Sequence, residues 1–181
     1  MSLLTENNGR RMKLVKTYLA WSVLVMPIDR PTTKNDWETS FVKSILIDAG
    51  PIIALFDGSD RYHSMVKDFL KRNTLRLIST WPVITEASHI LDFDNRAQIG
   101  LLEWIFRGGI DLFQIEMTGV KRIIELTKKY HDVPMDLADA TLVIAAEKLG
   151  IKEIASIDSD FYVYRTTRKE MIRNVLEIKG R

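Results

Sequence analysis

The chain has 181 residues, 46% hydrophobic and 28% charged, which is room for one domain with an extension and a core that buries roughly two thirds of the unfolded surface. It contains no cysteine, which excludes disulfides, thiolate metal sites and cysteine nucleophiles and accords with a reducing compartment. Its formal charge of +2 is too small for a protein that coats nucleic acid by bulk electrostatics, so any such binding must rest on local patches.

Residues 1–43 form an N-terminal extension and linker, the basic part of the chain, with seven Lys or Arg against four acids; the remainder carries nineteen against twenty. Arg10, Arg11, Lys13 and Lys16 make one basic patch, and Arg165, Arg168, Lys169 and Arg173 another. The apolar stretch Tyr18 to Met26 is about half a bilayer span, too short for a transmembrane helix. No small-x-small cleavage site follows it, so it reads as a packing surface for this subunit or a partner.

From residue 44 to residue 181 apolar runs of strand length alternate with helical patterns. The first strand is predicted at Ser44 to Asp48, apolar through Ile45, Leu46 and Ile47 and ending in a carboxylate that must lie at the strand's tip to remain ionised. Gly50 permits a tight turn and Pro51 suits the first position of a helix, so "PIIALF" is predicted helical. "RYHSMVKDFLKR" places Tyr62, Met65, Val66, Phe69 and Leu70 on one helical face. A second strand follows at Leu75 to Ser79, then a helix carrying Glu86 in "TWPVITEASHIL" and another in "AQIGLLEWIF". The third strand is predicted at Ile110 to Ile115, before a helix in "GVKRIIELTKKY". "PMDLADATLVIAAEKLG" reads as a helix opened by Asp136 as N-cap, with Asp139 in the position of a capping-box acid. Strands at Glu153 to Ile157 and Asn174 to Ile178 close the list, with Asp158 just past the fourth. Alternation of this kind predicts an α/β fold with a central, mostly parallel sheet flanked by helices.

In such sheets ligands bind beyond the carboxyl ends of the strands. Asp48, Glu86, Asp136, Asp139 and Asp158 all fall at that edge, and no Lys or Arg stands beside any of them in the chain. Caps and turns account for some singly: Asp136 and Asp139 as caps, Asp158 in an Asx turn, Glu86 as a solvated helix residue. They do not account for four segments delivering acids to one edge, where carboxylates repel one another and raise one another's pKa unless a divalent cation joins them. With oxygen ligands the ion is Mg²⁺ or Mn²⁺, which polarises phosphodiesters and lowers the pKa of water. A Gly-rich phosphate loop is absent, as is an acid two residues past Asp48, which argues against NTP binding and aspartyl-phosphate chemistry. His63, His89 and His131 read as structural or surface residues.

The stretches "ILIDAGPIIALFDGSDRYH", "TWPVITEASHILD", "HDVPMDLADATLVIAAEKLG" and "EIASIDSDFYVYR" together resemble the PIN domain, and within it the VapC-like ribonuclease toxins of toxin-antitoxin modules. The resemblance implies a PIN-like three-layer fold over residues 44–181 and a cytoplasmic, metal-dependent endoribonuclease, with no membrane role. It also implies an RNA substrate, a small antitoxin protein as partner and a homodimer. Asp48, Glu86, Asp139 and Asp158 become the catalytic, metal-binding acids, with Asp136 as an accessory acid. Ser156 matches a hydroxyl residue that often precedes the last acid; Ser156 and Arg165 are the substrate-binding candidates. Ala49 stands where many relatives carry Thr or Ser, and the 43-residue extension has no counterpart in the family's usual pattern. The rival readings are a catalytically silent RNA-binding or scaffolding domain of the same fold and a metal-dependent phosphatase of small molecules.

Overall fold

A computed structural model describes residues 42–133 and 135–176. The apolar segment Tyr18 to Met26, the patch Arg10 to Lys16 and the end of the last predicted strand lie outside the described residues. Five strands form one wholly parallel sheet: β1 (Lys43–Ile47), β2 (Leu75–Thr80), β3 (Asp111–Phe113), β4 (Glu153–Ala155) and β5 (Arg173–Asn174), in the order β3-β2-β1-β4-β5. The helices among the described residues are α1 (Ala49–Phe56), α2 (His63–Arg72), α3 (Trp81–Ile90), α4 (Asn95–Phe106), α5 (Met117–Lys129) and α6 (Leu137–Leu149). The expected α/β architecture is therefore present. α1 packs against α2 and α3, α5 packs against α6, and α3 also meets α6.

The apolar triplet of β1 explains its central place. Ile45, Leu46 and Ile47 are fully buried, and β1 pairs with β2 on one side and β4 on the other. A strand covered on both faces needs such an unbroken apolar run. Helix α6 is buried almost all round, from Ala138 through Ala146, and its small residues let it lie close against neighbouring elements. It ends at Gly150, whose φ of 67° is a left-handed conformation that favours glycine.

Several strands stop earlier than predicted, each for a local reason. β1 ends at Ile47 rather than Asp48: the Asp48 N–H still bonds to Ala155 O at 3.0 Å, but its side chain caps α1. β4 ends at Ala155 because the next residue, Ser156, pairs with a side chain instead of a strand. Asn174 accepts from the Ser156 N–H at 3.2 Å and donates to its carbonyl at 2.7 Å. The same Asn174 oxygen accepts from Leu176 N, which ends β5 after two residues.

The two edges of the sheet differ in electrostatics. At the amino edge Glu153, at the start of β4, is ion-paired with Lys43 at the start of β1 and with Arg173 at the start of β5. Those bases hold its carboxyl below the ordinary glutamate value. Among the described residues the acids at the carboxyl edge, Asp48, Glu86, Asp136, Asp139 and Asp158, have no such partners.

Candidate active site

Asp48 stands where β1 gives way to α1. It is buried, with extended backbone (φ −90°, ψ 169°), and its Oδ1 accepts from the Ala49 N–H at 2.7 Å, so it is the N-cap of α1. The helix begins at Ala49, two residues before the start predicted at Pro51, and Pro51 occupies its third residue, where an amide hydrogen is still dispensable. The other oxygen, Oδ2, accepts from the Ser156 hydroxyl at 2.8 Å. Ser156 is itself fully buried, and its Oγ accepts from the Asp158 N–H at 3.0 Å. One hydroxyl thereby links the acids at the tips of β1 and β4. Ser156 reaches Asp48, not the surface.

Asp158 is exposed, and its Oδ1 accepts from the N–H groups of Ser159 and Asp160 at 2.5 and 3.2 Å, the expected Asx turn. Asp136 caps α6 by accepting from the Asp139 N–H at 2.8 Å. Asp139 does not complete a capping box. Its Oδ2 accepts from the hydroxyl of Tyr164 at 3.0 Å. Glu86, placed by the sequence near the start of a helix, is the sixth residue of α3, half-buried and without a hydrogen bond or ion pair among the described residues. Arg165 donates from Nη1 to the carbonyls of Tyr162 and Tyr164 at 2.7 and 2.8 Å. Among the histidines, His63 Nδ1 donates to Ala54 O at 2.9 Å, while His89 and His131 are exposed.

Residues that sequence reasoning passes over hold these elements together. Thr80, at the carboxyl end of β2, meets Thr141 of α6 hydroxyl to hydroxyl at 2.7 Å; Thr141 donates onward to Ala138 O. Both threonines are buried, so this bond locks the first turns of α6 to the sheet edge. Tyr164 and Asn174 are the others. The available signals were two hydroxyl residues ending a buried strand and a tyrosine in an apolar turn.

The acids feel one another, and they feel burial more. Desolvation, opposed by the Ser156 and Ala49 hydrogen bonds and reinforced by Asp158 and Asp136, pushes Asp48 up to about 6. Burial, then Asp136 and Asp48, push Asp139 up to about 7. Burial, then Asp48, Asp136 and Asp158, raise Glu86. Mutual repulsion, the cause expected from sequence, ranks second. Tyr164 is also raised, by burial first and then by Asp139, which keeps its proton on the hydroxyl as a donor.

A pH dependence follows. Asp48 and Asp139 bind protons more tightly in the folded chain than at their ordinary value of 3.8, so the native state holds the extra protons between that value and about 6 to 7. Their contribution to stability is present at the acid side of this window and is lost as pH rises through it. In EDTA, the metal-free protein should lose stability through this window, and Asp139→Asn should flatten the loss; equal slopes in thermal melts would show that Asp139 titrates normally.

Among the described residues no three carboxylate or imidazole groups stand at the mutual spacing of ligands around one ion. The donor chemistry nonetheless fits a hard divalent cation. All the groups are carboxylates, none of Asp48, Glu86, Asp136, Asp139 and Asp158 is ion-paired with a Lys or Arg among the described residues, and Asp139 Oδ1 and Asp158 Oδ2 have no hydrogen-bond partner there. Mg²⁺ retains several waters and takes only one or two protein carboxylates directly, so it suits acids spread around an edge.

Comparison with known proteins bears on the fold and the family. The model of the PIN domain family matches residues 45–166. The ribonuclease VapC26 of Mycobacterium tuberculosis is 21% identical over 116 residues, which are 63% of this chain and 86% of the relative. The crystal structure of Mycobacterium tuberculosis VapC20, described as a sarcin-ricin loop cleaving toxin, superposes with a TM-score of 0.61 at 17% identity, covering 66% of this chain and 93% of that one.

Proposed function

The chain belongs to the PIN domain family, and from that premise we propose that it is a metal-dependent endoribonuclease, the toxin of a toxin-antitoxin pair. The observation that carries this is the set of carboxylates at the carboxyl edge that have no Lys or Arg ion pair among the described residues, drawn from the tip of β1, α3, the first turn of α6 and the turn after β4, two of them pushed to about 6 and about 7. An edge that holds partly neutralised acids at a cost to stability is the kind of arrangement functional sites keep. The relatives' names, a ribonuclease and an RNA-cleaving toxin, support the choice of RNA.

Asp48, Glu86, Asp139 and Asp158 would hold Mg²⁺ or Mn²⁺, with Asp136 nearby as an accessory acid. A divalent ion held by these acids would supply Lewis-acid chemistry suited to phosphodiester hydrolysis by water. Ser156 keeps Asp48 oriented, since both ends of its hydroxyl are engaged inside the protein; that role replaces its candidacy as a substrate contact. Arg165 has one guanidinium nitrogen committed to backbone carbonyls, which fixes the group, and its remaining donors suit an RNA phosphate. A small antitoxin, a homodimer and a cytoplasmic setting belong to the same proposal. Among the described residues no helix is long and apolar enough to cross a membrane.

The test is the chemistry of the product ends. Water as nucleophile leaves 5′-phosphorylated fragments, whereas attack by the ribose 2′-OH leaves 2′,3′-cyclic phosphates. End analysis of labelled RNA after incubation with the pure protein and Mn²⁺ should find the former. Cyclic ends would reject the mechanism, and hydrolysis of mononucleotides with intact RNA would favour a phosphatase.

A further inference from the structure

Tyr164 is a wholly buried tyrosine whose hydroxyl needs a partner, and the partner it has is one of the acids. The bond runs from Tyr164 Oη to Asp139 Oδ2 at 3.0 Å, and Asp139 Oδ1 has no hydrogen-bond partner among the described residues. The ring cannot readily swing away. It packs edge-on against Tyr130 (centroids 5.2 Å apart, planes at 63°) and against Phe161 (5.5 Å, 83°). Tyr130 is held in turn, its hydroxyl accepting from the Arg165 N–H at 2.8 Å.

The position of Tyr164 in the chain adds a second consequence. It follows the short 3-10 turn Asp160–Tyr162, so the segment that starts with Asp158 at the tip of β4 ends on Asp139 in the first turn of α6. Two acids from separate elements are tied by one short segment. On the nuclease reading, we propose that Tyr164 is a positioning residue, which occupies Oδ2 of Asp139 and leaves Oδ1 as the oxygen offered to the divalent cation. A tyrosine that merely satisfies its own hydroxyl would contribute stability and nothing to cation affinity.

The test is Mn²⁺ affinity measured by electron paramagnetic resonance on RNA-free protein. Tyr164→Phe keeps the ring and removes the bond; outer partners of metal ligands commonly contribute about 10- to 100-fold in affinity, and a loss of that size is expected. RNA cleavage by this variant should recover as Mn²⁺ is raised. Tyr130→Phe removes a hydroxyl from the same aromatic cluster without touching an acid, and its Mn²⁺ affinity should equal wild type. Asp48→Asn separates the two levels of inference. If Asp48→Asn loses Mn²⁺ while Tyr164→Phe binds it like wild type, the positioning role is overturned and the nuclease reading stands; if Asp48→Asn binds normally, the reading beneath it fails. Should Tyr164→Phe not fold, carbon-13 NMR of the wild-type tyrosines answers instead. Mg²⁺ should shift the Cζ signal of Tyr164, assigned through its contacts with Tyr130 and Phe161, and an unmoved signal overturns the proposal.

Discussion

Asp48→Asn should abolish RNA cleavage and leave the fold intact. Asparagine retains an oxygen for the Ala49 N–H, so the cap of α1 survives. Its amide nitrogen replaces Oδ2 and can donate to the remaining lone pair of the Ser156 hydroxyl, whose own hydrogen then needs a new acceptor. The substitution also removes a buried carboxylate already pushed up to about 6 by desolvation, so the metal-free variant should be no less stable than wild type. What it removes is the charge of a proposed cation ligand. A fall in cleavage of roughly three orders of magnitude is expected, about 4 kcal/mol of barrier. Circular dichroism and denaturant melts beside the cleavage assay decide whether the loss is chemical. Retained activity would remove Asp48 from the site.

The second large effect is a reversal of stability order between wild type and Asp139→Asn. In EDTA the variant should be the more stable, by about 1 kcal/mol, because it lacks a buried carboxylate whose neighbours are also acids. The helix cap does not complicate this comparison, since Asp136 supplies it, and the new amide oxygen can still accept from Tyr164. Saturating Mn²⁺ should invert the order. A ligand that binds only the native state adds roughly 2.7 kcal/mol at a hundredfold excess over its Kd, and wild type should gain that while the variant gains little. Equal gains would reduce these carboxylates to caps and turns.

Much of this arrangement was legible from local patterns. The apolar triplet before Asp48, the Ala-Gly-Pro that follows and the alternation of strand and helix runs place the strands and helices close to their observed bounds. The acids at the carboxyl edge follow from topology alone, because each lies just after a strand or in a helix that borders that edge. What was hidden depends on contacts between distant segments. Thr80 and Thr141 are 61 positions apart, Ser156 and Asp48 108, and Tyr164 and Asp139 25. Nothing in the vicinity of Ser156 announces that Asn174 will replace a strand beside it. The capping role of Asp48 was missed for a different reason: Pro51 drew the helix start two residues too far along, though a proline is tolerated anywhere in the first turn. Burial also outranks repulsion as the cause of the raised carboxyls, and burial is a property of the packed fold that acid spacing does not reveal.

The most direct measurement is cleavage of labelled RNA by the full-length protein, stripped with EDTA and then titrated with Mn²⁺. Cleavage should be absent in EDTA, return with Mn²⁺, and remain absent at every Mn²⁺ concentration in Asp48→Asn. Undiminished cleavage in excess EDTA, or wild-type cleavage by Asp48→Asn, would contradict a cation-dependent site built on the carboxyl-edge acids.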